Sequence, residues 1–272
     1  MTSNYTLQEP EGRVQVPVWA WLLVLLPLAI WIVFYPQVKD PELFYAINRF
    51  TREWPDGMWG LFVYLGNGWG VFSLAIPLLL FAPRMLTACI IGGCLAGLVS
   101  RVLKLWLAMP RPAAVLDNGT FHIIGETMHH HALPSGHTLT VFAVAIAMYF
   151  SLPAHQRLAG LWLWVVAIFG GIARIAVGAH WPADVLAGAS LGILGGLVGI
   201  VLANRLPASW YVLQSWWLRF VAVVGCSVAL YILLTQRLDL DLNRPLQTLG
   251  IVVVLASALH FLQKSFGTPR VS

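Results

Sequence analysis

Three clusters of polar residues stand at the ends of long apolar runs: Lys104 with Arg111-Pro112, then Pro134-Ser135-Gly136-His137, then Arg174 with His180 and Asp184. Together they supply three cations, two imidazoles and a carboxylate. Such a set can hold a phosphoryl group, attack it and protonate what leaves. Because the groups are set among apolar runs, the phosphate they point to is one carried by a lipid.

Taken singly, each cluster has a plainer reading. Lys104 and Arg111 could merely reach a membrane interface with their head groups. Ser135 could be an ordinary N-cap, and His180 with Asp184 could cap a helix. Against this, Pro134-Ser135-Gly136-His137 opens an apolar run, where unpartnered backbone N–H groups and the helix dipole favour an anion. Gly136 would let the backbone approach an oxyanion and Ser135 would add a hydroxyl. Asp184 follows His180 by four residues, so its carboxylate can accept the imidazole N–H, fix the tautomer and leave the other nitrogen free to attack.

Bringing these clusters together requires a membrane scaffold. The 272 residues are 59% hydrophobic and 10% charged, with a mean hydropathy of +0.78, which excludes an ordinary soluble domain and a disordered chain. At roughly 20 apolar residues per crossing, the chain holds enough runs for about eight. The formal charge of +5 comes from basic residues scattered singly at the ends of runs, a pattern that speaks against a nucleic-acid partner. Cys89, Cys94 and Cys226 lie inside apolar runs without metal-ligand or disulfide spacing. The polar N-terminus, with Glu9, Glu11 and Arg13, lacks the basic region and cleavage site of a signal peptide, so Val16 to Tyr35 is expected to remain as a span.

After Tyr35-Pro36, the stretch from Asp40-Pro41 carries Leu43, Phe44, Ile47, Phe50 and Trp54 at helical spacing. It predicts an amphipathic helix along the interface, a connector in preference to a lipid-access lip. The run Met58 to Ala82 is interrupted by Gly66-Asn67-Gly68 and holds Pro77, so a kinked or split helix is expected. Further spans are predicted at 85–107, 135–152, 158–177, 183–203, 218–234 and 249–262, and Gly188, Ala189, Gly192, Gly195, Gly196 and Gly199 mark the span from Ala183 as one that neighbours approach closely. Counting crossings places all three polar clusters at one membrane face. With the N-terminus inside, Arg13, Arg84, Arg157, Arg205, Lys264 and Arg270 fall on the cytoplasmic side and every acid except Glu9 and Glu11 on the other, which favours an outward-facing site.

Lys104, six residues and Arg111-Pro112, then Pro134-Ser135-Gly136-His137, then Arg174, five residues, His180, three residues and Asp184 resemble the three-part signature of the type 2 phosphatidic acid phosphatase (PAP2) superfamily of membrane lipid phosphatases. One departure is Ala173, where the family pattern has serine; the loss of that hydroxyl is expected to weaken phosphate binding without abolishing activity. The resemblance implies an all-α, polytopic membrane bundle in a single domain over residues 1–272, with the catalytic six-helix core at 58–205 and two additional C-terminal spans within 211–263. It further implies that His180 attacks phosphorus to give a phosphohistidine, oriented by Asp184, and that His137 protonates the leaving oxygen and then activates water. Lys104, Arg111 and Arg174 would neutralise the phosphate oxygens, helped by Ser135 and the Gly136 N–H, so that neither a metal nor another cofactor is required.

In a bacterium the resemblance puts undecaprenyl diphosphate first as substrate, with phosphatidylglycerophosphate, phosphatidate or lipid A phosphate behind it, in the inner membrane with the site on the periplasmic face. The lipid bilayer is the expected partner, and the sequence does not state an oligomeric order. Two alternatives stand beside hydrolysis. The phosphoryl group could pass to a second lipid, or the break at Gly66 to Gly70 could belong to a transporter, although the two halves show no convincing internal repeat. The superfamily's relation to vanadium haloperoxidases adds halide oxidation as a remote option. His129-His130-His131 is expected to have a structural or rim role, since three adjacent histidines on a loop cannot all face one ion.

Overall fold

The computed structural model describes residues 13–33 and 41–266. Glu9, Glu11, Tyr35-Pro36, Asp40 and Arg270, which enter the sequence readings above, lie outside them. Among the described residues every regular element is helical. The first span is represented by α1 (Val18–Leu22) and α2 (Leu25–Val33), and α3 (Pro41–Thr51) follows as the expected amphipathic helix.

The next apolar run is divided into α4 (Asp56–Gly66), α5 (Gly68–Ala75) and α6 (Leu78–Phe81). Asn67 makes the first break: its side-chain oxygen accepts hydrogen bonds from the Trp69 and Gly70 N–H groups at 3.0 and 3.3 Å and so starts a new helix. Pro77 stands at the second break, between α5 and α6. The split foreseen from Gly66-Asn67-Gly68 and Pro77 is therefore present.

At the centre lie α7 (Pro83–Leu107), α9 (Gly136–Ser151) and α11 (Pro182–Arg205), each packed on the other two; the short α8 (Pro112–Val115) falls in the connection after α7. Small residues permit that closeness: a Cβ added at Gly195 would stand 2.7 Å from the Cβ of Ala96. On the other side of α9 is α10 (Trp162–Ala176), which also packs on α4. The C-terminal hairpin runs through α12 (Trp216–Phe220), a π-helical turn (Val221–Gly225), α13 (Cys226–Thr235) and α14 (Arg244–Phe266). It docks on α5 and α6, the part of the split run beyond the break, through an apolar cluster that includes Tyr64, Leu79, Leu86, Cys226 and Phe261.

Five helical stretches are long and apolar enough to cross a bilayer: 83–115, 159–176, 182–205, 216–235 and 241–266. Helices 18–33 and 136–151 are apolar but shorter. Exposed side chains such as Trp106, Leu158 and Leu234 belong to this apolar surface, which needs lipid around it. The protein is an integral membrane helical bundle.

Candidate active site

Connections at one end of the bundle bring the polar clusters together. In the turn between α10 and α11, Gly178 takes φ +75°, a left-handed conformation that glycine adopts freely. There is also no room for a side chain, because a Cβ would lie 2.9 Å from the His122 carbonyl oxygen. The chain then doubles back so that the His180 and Ala179 N–H groups both donate to the Arg174 carbonyl, at 3.1 and 3.0 Å. Pro182 opens α11 at its first position, as its fixed φ favours.

His180 is 1% exposed, and its Nδ1 lies 3.2 Å from Asp184 Oδ2. A carboxylate only accepts, so Nδ1 carries the proton and Nε2 keeps its lone pair. Asp184 Oδ2 also accepts the Trp181 N–H at 2.9 Å, which caps α11 and fixes the carboxylate. Burial first, and then the positive charges of Arg111, Arg174 and Lys104, push the His180 imidazole well below its ordinary value, which holds it neutral. The second cluster is tied to the third by the Ser135 N–H, which donates 3.0 Å to the Asp184 carbonyl.

Lys104 and Arg111 are oriented by main-chain carbonyls, those of residues 130 and 131 and, for Arg111, that of Ala179 as well. Lys104 Nζ donates to the His131 carbonyl at 3.0 Å, while Arg111 Nε and Nη1 donate to the carbonyls of His130 and Ala179 at 2.8 and 3.1 Å. The Arg111 N–H also donates to the His129 carbonyl at 3.0 Å. The three histidines thus brace the cations through backbone oxygens; the rings of His129 and His130 are exposed, and that of His131 places Nδ1 2.9 Å from the Lys104 carbonyl oxygen. Trp181 Nε1 donates to the Pro110 carbonyl at 3.0 Å, joining the first cluster to the turn that carries His180.

Arg174 is 2% exposed, and its Nε has no hydrogen-bond partner among the described residues. A buried guanidinium N–H without an acceptor is costly, which is the signature of a site shaped for an anion. Ser135 is fully buried and its hydroxyl is engaged at the start of α9, accepting the Thr138 N–H at 3.4 Å and meeting the Thr138 hydroxyl at 2.9 Å. Ala173 is also fully buried, in an apolar cluster with Trp59, Val63 and Ala176.

Three residues take part that the sequence reading had not assigned. Asp239, in the turn between α13 and α14, places Oδ2 3.0 Å from His137 Nε2. Asn67 Nδ2 donates to that same oxygen at 2.8 Å. Burial pushes the Asp239 carboxyl up, but the His137 imidazole, the Arg174 guanidinium and the Asn67 amide outweigh it and hold the group well below the usual carboxylate range. The third residue, Asn48 of α3, donates to the carbonyls of His122, Ile175 and Ala176 at 2.9 to 3.1 Å and accepts the His122 N–H at 2.8 Å. The amphipathic helix is more than a connector, because it clamps the loop and the end of α10 that carry the site.

A sequence model of the PAP2 superfamily matches residues 84–210. The undecaprenyl-diphosphatase of Sulfolobus acidocaldarius is 27% identical over 184 residues, covering 64% of this chain and 85% of that protein. A lipid A 1-phosphatase of Rhizobium johnstonii is 33% identical over 112 residues, which is 40% of this chain and 44% of that protein. Among solved structures, Aquifex aeolicus LpxE superposes with a TM-score of 0.53 at 30% identity, covering 60% of this chain and 94% of that one.

Proposed function

Because this chain belongs to the PAP2 superfamily and is a membrane lipid phosphatase, we propose that it cleaves a lipid phosphate or diphosphate through a phosphohistidine on His180. The observation that carries the reading is a buried, neutral imidazole held by Asp184 beside the unpaired Nε–H of Arg174. In the first step Nε2 of His180 attacks phosphorus, the bond to the leaving oxygen breaks, and the His137 imidazolium gives that oxygen its proton. Lys104, Arg111 and Arg174 neutralise charge on the phosphoryl oxygens, with the Gly136 N–H and the Ser135 hydroxyl near the same point. In the second step neutral His137 takes a proton from water, the water oxygen bonds to phosphorus, and the P–N bond breaks to release phosphate.

An apolar cavity of about 470 Å³ supports a lipid substrate. It lies between the core and the C-terminal hairpin, lined by Gly68, Phe72, Cys89, Thr140, Trp217 and Val221. Its end at Gly68 and Thr140 borders Asn67 and is one helical turn from His137, so a hydrocarbon chain can lie there with its phosphate at the cup. Relatives named for undecaprenyl diphosphate and for lipid A bracket the substrate class. The proposal puts a polyprenyl diphosphate first, hydrolysed at the outer face of a bacterial inner membrane. Purified protein given a panel of labelled lipid phosphates should release free phosphate, fastest from the polyprenyl diphosphate. Label recovered on a second lipid would instead establish transfer.

A further inference from the structure

We infer that Asp239 is the positioning residue for His137: its carboxylate sets the imidazole tautomer and supports the positive charge the ring carries between proton transfers. The inference rests on the hydrolytic reading above and adds to it a residue that lies outside the matched family segment, which ends at 210.

Chemistry favours the assignment. Asp239 Oδ2 can only accept, so His137 Nε2 bears the proton and Nδ1 becomes the atom that gives and takes protons at the substrate. The arrangement mirrors His180, whose Nδ1 is occupied by Asp184 and whose Nε2 is free. The Asn67 amide donates to the same carboxylate oxygen, so that oxygen is fixed from two directions.

The turn is built to hold this carboxylate still. Asp239 takes φ +57°, a left-handed conformation that aspartate tolerates better than most residues. The residues on either side, Leu238 and Leu240, are buried in different apolar clusters, one with the C-terminal helices and one with Trp59 and Val63 beneath α10. Gln247 Nε2 donates to the Gln236 carbonyl at 2.8 Å, and Arg237 pairs with Glu126 at 3.3 Å, tying the turn to α14 and to the loop before α9. Gly66 completes the approach: a Cβ there would lie 2.9 Å from the His137 Cβ. The break in the split run is thus part of the His137 support.

The test is a set of purified full-length variants assayed for phosphate release. Asp239→Asn should lower kcat roughly tenfold to a hundredfold with KM unchanged, since the carboxylate acts on proton transfer and not on phosphate binding. In a His137→Ala background the same substitution should cause no further loss, because its intermediary is gone. Additive losses in the double variant would mark Asp239 as merely structural and overturn the inference. A lower KM at unchanged kcat would overturn it differently, showing that the carboxylate competes with phosphate for Arg174. Wild-type kcat in His137→Ala would leave Asp239 nothing to position. The hydrolytic reading is judged separately, by phosphate release from the wild type and its loss in His180→Ala.

Discussion

His180 finds its carboxylate four residues further along the same turn, whereas the carboxylate facing His137 is 102 residues away, on a different pair of helices. The first pair is buried almost completely, with side chains 1% and 4% exposed; the second is 20% and 22% exposed. The first is therefore set by local chain geometry and the capping of α11. The second depends on how well the C-terminal hairpin is docked on α5 and α6. Similar imidazole–carboxylate chemistry thus has two levels of robustness within one cup, and the fragile half is the one assigned to proton transfer.

The contrast can be broken outright at the local pair. His180→Ala removes the proposed nucleophile and should abolish turnover while the protein still extracts and unfolds as the wild type does; phosphate release in that purified variant would end the phosphohistidine reading. Arg174→Ala should come next, lowering kcat/KM by roughly a hundredfold to a thousandfold, the scale of about 3 to 4 kcal/mol for one preorganised donor. Steady-state kinetics on the preferred lipid measure it. Asn67→Ala strikes the distant pair indirectly. It removes one donor to Asp239 and the cap of α5, so a several-fold fall in kcat should accompany a stability loss of about 1 kcal/mol. Thermal unfolding in detergent separates the two parts.

With its pKa held well below the ordinary histidine value, folded His180 stays unprotonated as the pH drops from 7 to 6. The unfolded chain binds that proton near pH 6.5, so it holds more protons than the native state there, and stability falls as pH falls below about 6.5. Melting temperatures taken between pH 7.5 and 5.5 should decline in the wild type and decline less in His180→Ala.

Much of the first pair was legible in the chain because each of its parts is local. Spacing alone relates His180 to Asp184, Pro182 marks the start of α11, and Gly178 marks the turn from α10 that leads into His180. The split at Asn67 was also legible, as was the tight approach of the span rich in small residues. Asp239 was not, because nothing in a linear pattern relates two residues in different connections. A signal existed nonetheless: counting crossings puts the turn between the last two spans on the same face as the other clusters, and it carries two acids, Asp239 and Asp241, each flanked by leucines. Asn48 was hidden for a similar reason, as its partners are main-chain atoms of residues 122, 175 and 176, which have no side-chain signature.

The brace beneath Lys104 and Arg111 is made of carbonyl oxygens from residues 129–131, and every amino acid supplies that atom. The side chains of His129 and His130 can therefore be rewritten without shifting either cation, whereas His131, at φ +59° and with its Nδ1 2.9 Å from the Lys104 carbonyl oxygen, is held by its own ring. Support of the two cations and the character of the rim at positions 129 and 130 become separate properties, one written in main chain and the other in side chains. Such a division offers a route by which one scaffold can change customers while its chemistry stays put.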